Sequence, residues 1–177
     1  MIAARQAMPA EAQRRASERI VDHLTGLLLP SPPGTIGFCW PIRAEPDCRP
    51  LVAGLIAAGW QAAMPTVVST DAPMEFRAWS PNARMTTDPY GIPVPATAAG
   101  PTPDVLLLPL VAFDAAGYRL GYGGGYFDRT LAACAPRPLA IGVGFDLCAI
   151  ASIHPEAHDM PLDLVVTESG IRRFNAL

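Results

Sequence analysis

The run from Arg119 to Arg129, RLGYGGGYFDR, places four glycines, two arginines, three aromatic rings and one aspartate within eleven residues. Gly121, Gly123, Gly124 and Gly125 remove side chains from a stretch of backbone, so its N–H groups can approach an anion closely, as in phosphate-binding loops. Arg119 adds a guanidinium able to hold a phosphate through two parallel hydrogen bonds. Asp128 beside a phosphate is repulsive by itself and becomes useful if it holds Mg²⁺, an ion that favours carboxylate, water and phosphate oxygens. His158-Asp159 offers a second carboxylate. The competing reading of Asp128 is a helix-start charge, worth roughly 0.3–1 kcal/mol. A flexible turn is the corresponding alternative for the glycines, but a turn does not require Tyr122, Tyr126 and Phe127. The pattern is neither a G-x-G-x-x-G fingerprint, since the third glycine comes one residue early, nor a P-loop, since no G-K-[ST] follows.

Composition narrows the chemistry. The chain of 177 residues carries 13 basic residues, and every one is arginine. Without lysine there is no Schiff-base nucleophile and no Walker A lysine, so phosphate charge falls to arginine, backbone amides or a metal. A net charge of −3 points to a small-molecule partner rather than a nucleic acid or an anionic membrane. Cys39, Cys48, Cys134 and Cys148 form no C-x-x-C pair and read as reduced thiols. The N-terminal stretch is charged and helical rather than a signal peptide, and no apolar run approaches the ~20 residues of a membrane span. A cytoplasmic location and a monomer are expected. His154 and His158 are separated by Pro155, which argues against a helical metal pair. His23 reads as a surface or interface residue of the first helix, and the serines lack a G-x-S-x-G elbow.

The elements that must position the loop follow from periodicity. Pro9 to Leu29 has Ala12, Ala16, Ile20, Leu24, Leu27 and Leu28 at helical spacing. Thr35 to Trp40 reads as a buried strand, and Asp47 to Ala58 as a helix with Asp47 as N-cap and Gly59 beyond its end. Strands are predicted at Gln61 to Met64, Met74 to Trp79, Val105 to Leu110, Leu139 to Val143 and Leu164 to Thr167, with Pro109 ending the third of these. Ser80 to Pro103 reads as an extended surface connection, and Tyr126 to Cys134 as a helix. The alternation predicts an α/β three-layer α/β/α fold with a mainly parallel central sheet, in a single domain spanning 1–177. The glycine-rich loop then lies beyond the carboxyl end of a buried strand, where open α/β sheets bind ligands.

RLGYGGGYFDR, preceded by LPLVAFDAAGY, resembles the signature of the 5-formyltetrahydrofolate cyclo-ligase family. Trp40-Pro41 with Glu45, Met74 to Phe76, Gly91-Ile92-Pro93 and HDMPLD from His158 to Asp163 follow in the family's order. The resemblance implies MgATP-dependent conversion of 5-formyltetrahydrofolate into 5,10-methenyltetrahydrofolate, with release of ADP and phosphate. It further implies ATP contacts from Arg119, Leu120, Gly121, Tyr122, Gly123, Gly124, Gly125, Tyr126 and Phe127, with Arg119 and Tyr126 as catalytic residues. Tyr122, Gly123, Gly124, Gly125 and Tyr126 would also border the folate. Glu45 would bind the pterin, Met74 and Phe76 would help form the folate pocket, and Asp128 and Asp159 would hold Mg²⁺.

The match departs from the family at several points. Relatives usually carry a basic stretch reaching ATP upstream of the segment matching Met1 to Met8, for which Arg5 is a partial substitute without being a positional match. Gly124 stands where some relatives have lysine, Cys148 where glutamine is common, and Val94 where an acidic or amide residue is frequent. Two alternatives accompany the cyclo-ligase reading: a folate- or nucleotide-binding paralogue without turnover, and a sugar-phosphate isomerase-like protein, since fold alone does not fix function.

Overall fold

Side chains along the inner strands are buried almost throughout and alternate between the two faces, so each strand feeds two cores at once. In the computed structural model, which describes residues 1–174, the strands are β1 (Thr35–Gly37), β2 (Gln61–Thr66), β3 (Glu75–Trp79), β4 (Met85–Thr87), β5 (Pro93–Pro95), β6 (Val105–Pro109), β7 (Ala112–Phe113), β8 (Arg119–Leu120), β9 (Leu139–Val143), β10 (Leu164–Thr167) and β11 (Gly170–Arg173). Seven of them form one sheet in the order β11-β10-β9-β6-β1-β2-β3. The inner pairs are parallel, while β3 and β11 run antiparallel at the two edges.

On one face Ile36, Met64, Val105, Leu107, Ile141, Val143, Leu164 and Val166 meet two helices, α2 (Ala10–Leu28) and α3 (Arg49–Ala57), through Ile20, Leu24, Leu51, Val52 and Leu55. On the other, Ala63, Leu106, Leu108, Ala140 and Val165 meet Leu131 and Phe127 of α4 (Tyr126–Ala133), together with Phe113 of β7 and the loop residues Leu110 and Leu162. These are the three layers that the alternation predicts. No described helix is long and apolar enough to cross a membrane.

The order of the sheet locates the site. From β1 the chain steps outward to β2 and β3; from β6 it steps the opposite way to β9 and β10. The adjacent pair β1 and β6 is therefore the topological switch point, where the loops leaving the two carboxyl ends diverge and open a crevice. Those loops carry Glu45 after β1 and the glycine-rich run after β6.

Several boundaries differ from expectation. β1 ends at Gly37, although Phe38 still donates its amide to Ala63 O at 3.1 Å, because the chain then turns into the Pro41 to Pro46 segment. α3 starts at Arg49 with Cys48 as its cap residue; Asp47 sits one position earlier and receives the Arg49 amide at 3.0 Å. Gly59 has φ +95° and closes that helix, as its position suggests. The 80–103 connection contains the antiparallel β4–β5 hairpin, whose strand residues Pro93 and Pro95 argue against a strand by ordinary propensity. The helical N-terminal stretch is divided, with a short α1 (Ile2–Gln6) ahead of α2, while the β7–β8 hairpin and β11 have no counterpart among the predicted elements.

Leu108 lies at the centre of the second core and is fully buried. Leu108→Ala is expected to destabilise the fold by about 2–5 kcal/mol in urea denaturation; a loss below about 1 kcal/mol would contradict this placement.

Candidate active site

The glycine-rich run begins as β8 of a two-stranded hairpin whose turn is pinned by a buried carboxylate. Asp114 Oδ1 accepts the amides of Ala116 and Tyr118 at 3.0 and 3.1 Å, and its Oδ2 accepts the Ile153 amide at 3.1 Å. Gly121, Tyr122, Gly123 and Gly124 are exposed, leaving their backbone accessible from solvent. Gly125, at φ +62°, turns the chain into α4. A side chain at that left-handed position is disfavoured, so the glycine has a steric reason to be there. Arg129 braces the loop from inside the helix, donating Nη2 to Gly124 O at 2.7 Å and stacking over the Tyr126 ring at 4.8 Å. The loop thus exposes amides at a helix start, the arrangement that favours an anion.

Arg119, Asp128 and the 156–160 segment form one joined cluster. Arg119 is buried and donates Nη1 to Asp128 Oδ1 at 3.0 Å and to Met160 O at 3.2 Å. The same Asp128 oxygen accepts the Met160 amide at 3.0 Å, while Asp159 Oδ2 accepts the Glu156 amide at 2.7 Å. The chain segment bearing Asp159 is therefore tied to Asp128. Arg119 Nε is buried without a partner. Among the described residues no three His, Cys, Asp or Glu side chains gather as a metal cage. Mg²⁺ rarely uses one; it binds through one or two carboxylates, waters and substrate phosphates. Asp128 and Asp159 fit that donor set.

The second cluster centres on Glu45. Glu45 donates its amide to Ile42 O at 3.0 Å across a turn whose central residues, Arg43 and Ala44, have φ +47° and +63°. Left-handed backbone costs roughly 1–2 kcal/mol per non-glycine residue, so this turn must be held by its surroundings. Glu45 Oε2 accepts the Ile42 amide at 3.0 Å, and Arg5 Nε donates to Arg43 O at 3.0 Å. Tyr122 of the glycine-rich loop donates its hydroxyl to Glu45 Oε1 at 2.6 Å. Arg5 completes the group, giving Nη2 to Tyr122 Oη at 2.8 Å and Nη1 to Leu110 O at 3.0 Å, with 3.7 Å to Glu45 Oε1. Arg43 stacks over the Tyr122 ring at 5.0 Å.

Burial pushes the Glu45 carboxyl above its ordinary value; the Tyr122 hydroxyl, the Ile42 amide and the charges of Arg5 and Arg43 only partly oppose that rise. Burial and the Glu45 charge push the Tyr122 phenol up to about 12, so it remains a donor. Arg5, with 1% of its surface exposed and its donors engaged, is not placed to substitute for an ATP-contacting cation. That expectation is corrected: its charge serves Glu45.

Met74 and Phe76 lie on the far side of the loop. Met74 donates its amide to Thr130 Oγ1 of α4 at 2.9 Å, and Phe76 is buried in the second core. Both line a groove of about 500 Å³ with Gly100, Thr130 and Cys134. The small cleft at Glu45 is lined by Phe38, Cys39, Leu107 and Val143, among others, and shares no residue with that groove. Val94 and Cys148 are both buried.

Tyr90 was not anticipated as part of this region. Its hydroxyl is 2.7 Å from that of Tyr126, with the rings edge to face at 5.8 Å. Asp88 caps the turn that presents it, accepting the Tyr90 and Ile92 amides at 2.9 Å each. Only the turn-like Asp88-Pro89-Tyr90-Gly91 marks it in the sequence.

An exposed glycine-rich loop, an Arg–Asp pair and a buried carboxylate gather at the switch point of a mainly parallel sheet, which places the chain in the class of open α/β domains. Comparison with known proteins gives that class a family. The sequence profile of the 5-formyltetrahydrofolate cyclo-ligase family matches residues 1–168. The 5-formyltetrahydrofolate cyclo-ligase of Mycolicibacterium smegmatis is 28% identical over 174 residues, covering 92% of this chain and 87% of that protein. The Escherichia coli K12 protein of the same name is 44% identical over 69 residues, a stretch covering 38% of each chain. Among solved structures, Aquifex aeolicus 5,10-methenyltetrahydrofolate synthetase superposes with a TM-score of 0.81 at 28% identity, covering 99% of this chain and 90% of that one. The chain belongs to the 5-formyltetrahydrofolate cyclo-ligase family.

The Glu45 cluster generates a pH prediction. Its native pKa lies above the usual 4.5, so its contribution to stability is fully present below about pH 4.5 and is lost as pH rises through the native value. A carbon-13 NMR titration of the Glu45 carboxyl should show a midpoint above 4.5, moving further up in Tyr122→Phe, which removes a donor to the ionised form. A midpoint at or below 4.5, or one unmoved by Tyr122→Phe, would contradict the hydrogen bond and its burial.

Proposed function

We propose that this chain, acting as a monomeric single domain over 1–177, uses MgATP to convert 5-formyltetrahydrofolate into 5,10-methenyltetrahydrofolate, releasing ADP and phosphate. The observation that carries this reading is the 2.6 Å bond from Tyr122 to Glu45, which joins the anion-accepting loop to a buried carboxylate. A nucleotide on the loop and a pterin on Glu45 would then face each other across one tyrosine. Four free thiols accord with a reducing, cytoplasmic setting.

A formamide oxygen is a poor leaving group until it is phosphorylated, and ATP supplies that activation. The formyl oxygen attacks the γ-phosphorus and ADP departs. N10 then attacks the resulting iminium carbon, loses its proton, and phosphate leaves as the ring closes. The backbone amides of Gly121, Gly123, Gly124 and Gly125 would bind phosphate oxygens, with Leu120, Tyr122 and Phe127 completing the nucleotide site. Arg119 meets charge developing on the transferred group, and Tyr126, steadied by Tyr90, orients it. Glu45 accepts ring N–H donors of the pterin, while Met74 and Phe76 flank the remainder of the folate. Asp128 and Asp159 would hold Mg²⁺, which when bound would supply charge neutralisation for the phosphates. Positioning and charge stabilisation supply most of the rate, as in other phosphoryl transfers.

Incubating the protein with 5-formyltetrahydrofolate and MgATP should yield the methenyl product and ADP in equal amounts. Neither appearing under saturating substrates would contradict the assignment. Asp128→Asn is expected to lower kcat by at least ~100-fold through lost charge stabilisation. Wild-type kinetics in that variant would remove Asp128 from the site.

A further inference from the structure

Arg5 sits on a helix of five residues that has no side-chain cap, too short to be stable in isolation. Its guanidinium reaches three segments distant in sequence. One is the strained turn after β1, through Arg43 O. Another is the chain leaving β6, through Leu110 O. The third is the glycine-rich loop, through Tyr122 Oη. The remaining neighbour is Glu45 itself, 3.7 Å away. A guanidinium presents its donors in a rigid planar fork, whereas an ammonium is a compact point charge that cannot span this set.

A buried arginine that merely glued the fold together could bond any convenient carbonyl. Here three of the four neighbours determine where Glu45 points: the carbonyl of a left-handed residue two positions before it, the hydroxyl that donates to its Oε1, and the carboxylate. We infer that Arg5 is the positioning residue of the pterin half of the site, acting through Glu45 and Tyr122 to orient the carboxylate as an acceptor while touching neither substrate. This rests on the proposed role of Glu45 in binding the pterin.

The electrostatics agree with the geometry. The charged and titratable groups facing Glu45 are Arg5 from α1, Arg43 and Cys39 from its own loop, Cys48 at the start of α3 and Tyr122 from the glycine-rich loop. The adjoining ends of β6 and β9 contribute only Leu107, Pro109 and Val143. Burial drives the Glu45 carboxyl towards its neutral form, and Arg5 is one of the two cations that oppose it. A neutral carboxyl accepts fewer hydrogen bonds, so loss of Arg5 should weaken folate capture at pH values where the wild type is still competent.

The test is steady-state kinetics of Arg5→Lys and Arg5→Gln against pH, with thermal melts alongside. The expected result is a folate KM raised on the order of tenfold, with ATP KM within about twofold and the acid limb of folate kcat/KM displaced to higher pH. If the Gln variant does not fold, Arg5→Lys keeps the charge, and Tyr122→Phe cuts the same link while leaving Arg5 to compensate the buried Glu45 carboxylate; both should move the acid limb the same way. A folded Arg5→Lys protein with wild-type folate KM and an unmoved acid limb would overturn the inference, whatever its melting temperature. So would a rise in ATP KM alone. Glu45→Gln separates the layers: an unchanged folate KM there contradicts the pterin role of Glu45 itself, whereas a raised KM there with none in Arg5→Lys contradicts only the role of Arg5.

Discussion

A carboxylate taken out of water loses several kcal/mol of solvation unless donors replace that water. Glu45 is such a group, and much of the site is organised around meeting its demand. The Ile42 amide serves one oxygen, the Tyr122 hydroxyl serves the other, and Arg5 supplies the compensating charge. Each partner comes from a different segment: the loop after β1, the glycine-rich run after β6, and a helix near the start of the chain. The carboxylate therefore ties together loops that the topological switch would otherwise leave to diverge.

Arg119 and Asp128 solve a similar problem in the other cluster. Their pair is largely buried, and the Met160 amide and carbonyl satisfy part of what remains. Leaving either ion alone would cost about 3–5 kcal/mol, so the pair is built as a unit with the 156–160 segment. The glycine-rich run lies between the two clusters, with Tyr122 committed to one and Asp128, six positions later, to the other. Its glycines leave the backbone open to solvent while its larger residues tie it to both clusters.

Much of this was legible in the sequence because it depends on local pattern. The apolar runs at Val105 to Leu110, Leu139 to Val143 and Leu164 to Thr167 mark strands covered on both faces, and the period of Ala16, Ile20 and Leu24 marks the long helix. The loop announced itself by its odd mixture of glycine and aromatic residues. What was not legible depends on pairing across the chain. Nothing in IAARQ distinguishes a buried arginine from a solvated one; its burial follows from acceptors 38, 105 and 117 residues away. The β4–β5 hairpin was obscured by Pro93 and Pro95, which disfavour strands in general yet are tolerated in a two-stranded hairpin. Tyr90 became visible only once that hairpin laid its tip beside Tyr126.

In the proposed site one tyrosine, Tyr122, separates a nucleotide on the glycine-rich loop from a pterin on Glu45. A crystal structure with 5-formyltetrahydrofolate and a non-hydrolysable ATP analogue tests it directly. Pterin N–H groups should then lie on the Glu45 carboxylate and the terminal phosphates against the amides of residues 121–125. A pterin seated in the Met74–Phe76 groove, with Glu45 still bonded only to its present partners, would contradict it.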